Sequence, residues 1–186
     1  MKRWILVIST IICFGMTLVA CQSKEEAKEN TVEELLAFKD SSIGDASAVV
    51  NMSYLLPGGE YVKQVSLQTE KQPYEIKLDY GIKEGTNIKE EVFEKYWKEE
   101  VTKRAFLNNA TTLFILVKNV DVVEFKLHTA SPKTFKVTRK DIEDFYGKDV
   151  RQYSENAEAW EEEILQSTIG ENEEVEKFFK KHPIEA

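Results

Sequence analysis

The sequence predicts an α+β fold: a four-stranded antiparallel sheet built from two β-hairpins, with helices packed on one face. Three observations predict it. Apolar residues alternate with polar ones in two separate blocks, 65–80 and 123–138, the spacing of strands with one wet face. Around and between these blocks apolar residues recur three or four apart, the spacing of amphipathic helices. The chain has 186 residues, 42% hydrophobic and 31% charged, with eight Gly and four Pro. That is the composition of a globular domain, long enough to bury roughly 70% of its unfolded surface without disulfide or metal staples.

The folded part begins at Thr31, where a hydroxyl followed three residues later by Glu34 forms a capping-box pattern. Val32, Leu35 and Leu36 give the short helix its apolar side. The run Asp40-Ser41-Ser42-Ile43-Gly44 breaks it, and Asp45 caps a second helix with Val49, Met52 and Leu56 on its stripe, stopped by Pro57-Gly58-Gly59. The first hairpin pairs the Val65 strand with Tyr74–Tyr80. Asn87 and Glu90 repeat the capping pattern ahead of a long helical stretch through Phe93, Trp97, Val101, Ala105, Phe114 and Val117. Within it Asn108-Asn109-Ala110-Thr111-Thr112 forms helix poorly and points to a kink or break. Val123–Leu127 and Thr134–Thr138 make the second hairpin. Thr138 with Asp141 caps a helix that Gly147 ends, and another runs from about Ala157 to Gly170. A last stripe, Val175, Phe178 and Phe179, suits docking on the core better than contact with a partner.

Residues 1–20 read as a lipoprotein signal peptide that is removed. Lys2 and Arg3 precede an uncharged run from Trp4 to Ala20, too short for a permanent span of a ~30 Å hydrocarbon core. Leu18-Val19-Ala20-Cys21 resembles the bacterial lipobox, which makes Cys21 the acylated N-terminus. Cys13 leaves with the signal, so the mature chain keeps no free thiol for catalysis. Residues 21–30 then form a polar tether, and 31–186 a single α+β domain with acidic C-terminal helices. The tether holds that domain within ~30 Å of the membrane, on its extracytoplasmic face.

The formal charge is −8. Nucleic acid is excluded as a partner, because binding phosphates needs a basic face. No Gly-rich phosphate loop and no metal-ligand spacing are present, and no cofactor or metal is expected. The two histidines are poor catalysts by position: His182 stands in the tail beside Pro183, and His128, near Ser131, lies at a strand end without a nucleophile elbow. Asp141, Glu143 and Asp144 suit a helix start better than a calcium loop. Tyr61, Tyr74, Tyr80, Tyr96 and Trp97 suit a core better than a ligand groove. No catalytic residue set emerges.

Several short segments together resemble a known family. Phe38 through Val49, with Ile43-Gly44-Asp45 at its centre, and Leu55-Leu56-Pro57 are similar to the signature of bacterial lipoproteins and membrane-sensor extensions of Firmicutes that carry the domain of unknown function 4825. Leu67-Gln68-Thr69, Pro73-Tyr74, Asn109-Ala110, Leu113-Phe114, Asn119-Val120-Asp121 and Tyr146-Gly147 fit the same pattern, over about residues 36–165. Ala46 departs from it where Asn is usual, and Val50 where a small residue is usual. The resemblance implies an extracytoplasmic domain and transfers no catalytic residue. Because the signature concentrates on a short polar loop, Phe38, Ile43, Gly44 and Asp45 are the candidate interaction residues. The expected function is a non-enzymatic binding or sensing-accessory module of the bacterial envelope, anchored by its lipid, whose partner is a protein, peptide or small ligand near the membrane. The alternative is a small carboxylate-based hydrolase acting on cell-wall polymers, since 33 acidic residues guarantee some close pairs.

Overall fold

A computed structural model describes residues 31–186; the expected signal peptide, Cys21 and the expected tether lie outside them. The sheet has four strands in the order β1 (Val62–Gln68), β2 (Glu75–Tyr80), β3 (Val122–Leu127), β4 (Lys133–Thr138). Both hairpins form as expected, β1 with β2 and β3 with β4, each antiparallel. The sheet as a whole is not antiparallel, however: β2 and β3 are its central neighbours and run parallel, with Ile76 opposite Val123 and Leu78 opposite Phe125. The reason lies in the crossover between the hairpins. It contains α3 (Glu90–Tyr96) and α4 (Glu99–Leu116), and 18 residues of α4 span about 27 Å, enough to carry the chain back beside the start of β2. Alternation reports which face a strand buries and is silent on its neighbour's direction.

One face of the sheet is buried. Ile76, Leu78, Tyr80, Val123, Phe125, Leu127, Phe135 and Val137 are all essentially inaccessible to solvent. Phe106 of α4 stacks on Phe125 at 4.8 Å between ring centres, and Phe135 continues the column to Phe179 at 5.1 Å. The other face carries charges. Glu124 sits at its centre, bonded to Lys77 at 3.1 Å and Lys136 at 3.5 Å. Burial alone would raise the Glu124 pKa, but Lys77, Glu75 and Lys136 together hold the carboxyl below its usual range.

α4 is the axis of the fold. The sheet covers one side of it, and the elements after β4 cover much of the rest: α5 (Arg139–Tyr146), a 3₁₀ turn (Val150–Glu155), α6 (Ala157–Ala159) running into a π-helix (Trp160–Ile169), and α7 (Asn172–Lys181). Twelve of its 18 residues are therefore buried, which erases the one-sided pattern of a surface helix. Val175, Phe178 and Phe179 of α7 are buried against this core.

The helical stretch breaks, but not at Asn108–Thr112. It breaks at Trp97 and Lys98, where the backbone leaves helical angles. The Trp97 ring is buried against Tyr80 at 4.8 Å and Tyr61 at 6.2 Å, and α4 restarts beyond it, with the Thr102 hydroxyl bonding the carbonyls of Trp97 and Lys98. Asn108–Thr112 stays helical because side-chain partners offset its poor propensity: Asn109 donates to the Pro57 carbonyl at 3.0 Å and the Tyr80 hydroxyl at 2.9 Å, and Thr112 to Asn108. The cap expected from Asn87 and Glu90 does not form either; α3 starts after Lys89, without a side-chain cap.

Candidate functional site

The loop that the sequence singles out lies at the C-terminal end of α4. α1 (Val32–Leu36) ends in a turn through Phe38 and Asp40, the latter at φ +62°, and α2 (Ala46–Leu55) begins at the Asp45 cap, whose carboxylate accepts from the Ala48 N–H at 3.0 Å. Between them Ser41 bridges to Val117, and the Asn119 carboxamide oxygen accepts from the Ile43 N–H at 2.8 Å and the Ser42 hydroxyl at 3.2 Å. Ile43 is 2% exposed and Phe38 half-buried against the core, whereas Gly44 and Asp45 face solvent. Of the four candidate residues, then, two are presented outward and two hold the loop in place.

The same corner is tied from the other side by Arg139. Its guanidinium donates to the carbonyls of Phe114 at 2.7 Å, Val117 at 2.8 Å and Val120 at 3.0 Å, collecting groups that a helix end leaves unpaired. Asp121 accepts from the Tyr74 N–H at 2.7 Å and anchors β2. Beside Arg139 sit Glu143 and Asp149, a carboxylate pair that invites comparison with a hydrolase. Burial raises the Glu143 pKa and the neighbouring Asp149 adds to it, whereas the Arg151 guanidinium, hydrogen-bonded to Asp149, pulls that carboxyl down to about 2. Each acid is matched to an arginine, Glu143 to Arg139 at 3.9 Å and Asp149 to Arg151 at 2.6 Å. Asp141 completes the Thr138 capping box, Asp144 pairs with Lys140, and no cluster of His, Cys, Asp or Glu suited to a metal occurs among the described residues. His128 lies 3.6 Å from Asp79, half exposed, and no hydrogen bond joins it to Ser131 among the described residues.

Two of the grooves among the described residues bear on binding. The larger, about 790 Å³, runs along α7 and the C-terminal tail. Its charged lining is partly engaged, with Lys103 clamped between Glu99 at 2.8 Å and Glu176 at 2.9 Å. The other, about 580 Å³, runs along the α4 face from Val101 to Thr112 and has the size of a small-ligand site. Its floor is apolar: Val32 and Leu35 of α1, Leu56 and Pro57 after α2, Val101 and Ala105 of α4, Leu165 and Ile169 of the π-helix.

Local chemistry holds this second groove in shape. Thr31 caps α1, Asn109 holds the Pro57 carbonyl, and Gly58 at φ +77° packs so closely on the Trp97 ring that a Cβ there would stand 2.5 Å from it. Arg104 donates to the Ile169 and Gly170 carbonyls and to Asn172, closing the wide end of the π-helix. Tyr96 forms part of the wall, its phenol pushed up to about 12 by burial and by Glu60. The polar lining behaves differently. The Asn108 amide nitrogen and the Gln166 carboxamide have no hydrogen bond among the described residues, Glu161 has no ion pair there, and the buried Trp160 indole N–H has no acceptor.

By sequence Val101 and Ala105 lie on an apolar stripe, while Asn108 and Thr112 belong to a segment that forms helix poorly. Val101, Ala105, Asn108 and Thr112 stand at i, i+4, i+7 and i+11, one face of a helix, and all four line the groove. That spacing was the available signal. The walls from α1 and the π-helix come from distant sequence and had none.

Neither the curated proteins nor the solved structures contain a match to this chain. Residues 35–138 match the domain of unknown function (DUF4825), an interval that holds the whole sheet and α2–α4 and stops where α5 begins. The groove thus lies on a seam, one wall from the matched interval and one from the helices after it. The match covers more than half of the chain, which therefore belongs to the DUF4825 family.

Proposed function

We propose that this protein is a lipid-anchored lipoprotein on the extracytoplasmic face of the bacterial cell membrane, of the kind found in Firmicutes, and that it acts there as a non-enzymatic binding or sensing-accessory module. One observation supports the binding role above the rest: the seam groove joins an apolar floor to a few polar side chains, Asn108, Glu161 and Gln166, that remain accessible at its rim. An apolar concavity with a small number of accessible polar groups is the usual make-up of a ligand site. Thr31 and Val32 line this groove, so a tether from an acylated Cys21 would hold it near the membrane. Gly44 and Asp45 offer a second, smaller outward surface beyond the C-terminal end of α4. The hydrolase reading has less support. Glu143 and Asp149 are tied to arginines, and neither carboxylate lines either groove.

A photo-crosslinking residue in place of Val101, carried on the full chain in intact membranes, tests the binding role. The expected result is a discrete adduct absent when the same residue replaces Lys126 on the charged sheet face. Identical patterns from both positions would overturn the proposal. The anchor is tested separately: Cys21→Ser should release the protein from the membrane fraction, and retention would refute lipidation.

A further inference from the structure

The chemistry of the seam groove narrows what it can hold. An anionic lipid or fatty acid needs a cation for its head, and Arg104, the one basic residue lining the groove, is spent on two carbonyls, Asn172 and an ion pair with Glu100 at 3.5 Å. Glu161 is the remaining charge, and it is negative and unpaired. Residues 31–186 carry 30 acidic against 21 basic side chains, so the surrounding field has the same sign. The accessible polar groups are two primary amides, Asn108, whose oxygen also accepts from Thr112, and Gln166. A primary amide offers one acceptor and two donors, which matches the N–H and C=O of a peptide unit and suits neither a hydrocarbon nor a carboxylate.

We propose that the seam groove binds a polypeptide segment: apolar side chains lie on the Val32–Leu35 and Leu165–Ile169 walls, the backbone bonds to Asn108 and Gln166, and a lysine or arginine of the segment pairs with Glu161. This rests on the binding-module reading above and gives it a ligand class. The segment is apolar with a basic flank, so that burial supplies affinity and charge supplies direction.

The full chain, held in detergent micelles, is titrated by fluorescence anisotropy with two labelled nonapeptides of Leu, Val and Ala, one flanked by Lys and the other by Glu. The Lys-flanked peptide should bind about tenfold more tightly, the equivalent of about 1.4 kcal/mol. Glu161→Lys should reverse the order. Val101→Gln and Asn108→Leu should each weaken the Lys-flanked peptide about tenfold while leaving the thermal midpoint near that of the parent, which separates lost contacts from lost folding. Equal affinity for the two peptides, or binding indifferent to all three substitutions, would overturn the proposal. So would displacement of either peptide by a stoichiometric amount of a fluorescent fatty acid, which would assign the groove to lipid. Absence of peptide binding with a persistent adduct at position 101 removes the peptide assignment and leaves the binding role standing; absence of both removes both.

Discussion

At its C-terminal end α4 gives its last carbonyls to Arg139 and its following turn to Asn119, whereas its face from Val101 to Thr112 borders a groove in which the Asn108 amide nitrogen and the Gln166 carboxamide bond to no described residue. Both regions are lined by polar residues, and both are rich in positions that a helix would not choose on propensity. The difference is in what becomes of their hydrogen-bonding capacity. At the C-terminal corner Arg139, Asn119 and Asp121 each meet partners supplied by a different segment, so these polar residues act as fasteners among α1, α4, β2 and α5. At the groove the capacity is left over. Polar residues in a fold therefore need sorting by whether their partners lie inside it before any of them is read as a recognition site.

The comparison breaks most readily at Arg139. Replacing it with Ala strands three carbonyls that are shielded from water, and the expected loss is about 3 kcal/mol, read from urea unfolding; a loss under about 1 kcal/mol would mean that water serves that helix end as well as the guanidinium does. Asn119→Ala removes the acceptor for Ile43 and Ser42 and should cost about 2 kcal/mol, with hydrogen exchange rising first at the Ile43 amide. Val101→Gln, at the groove, should move stability by no more than about 0.5 kcal/mol, because its side chain is already a third exposed. A groove substitution that destabilises as much as the corner ones would erase the distinction between the two regions.

A smaller effect sharpens the corner's electrostatics. Asp149 has its folded pKa lowered to about 2 by its hydrogen bonds to Arg151, against about 3.9 unfolded. A depressed carboxylate stabilises the fold above the unfolded value, and that contribution is lost as pH falls through the folded one. The gap in thermal midpoint between the parent and Asp149→Asn should therefore be constant from pH 7 to about 5 and close between about pH 4 and 2. A gap independent of pH in that window would show that Asp149 acts through shape alone. Smallest of all is Asp45→Asn, which keeps the cap and removes one exposed charge; a few tenths of a kcal/mol are expected. If that change alone weakened capture of a partner, the outward pair Gly44 and Asp45 would be an interaction surface in its own right.

Much of this was written in local sequence. Thr31, Asp45 and the Thr138–Asp141 box cap the helices that their spacing announces, Gly147 closes α5 at φ +71°, and alternation through Ile76, Leu78 and Tyr80 identifies the buried face of β2. These features depend on residues within a few positions of one another, where backbone geometry and a single side chain settle the outcome. The parallel pairing of β2 with β3, the break at Trp97 and the groove were decided only when distant segments met. Strand direction followed from how far the crossover carried the chain, the break from where the Trp97 ring found its aromatic neighbours, and the groove from α1 and a π-helix lying about 130 residues apart coming to rest on the same face of α4. Period and propensity describe a segment against an average surrounding; which surface it finally touches is set by the packing of the whole.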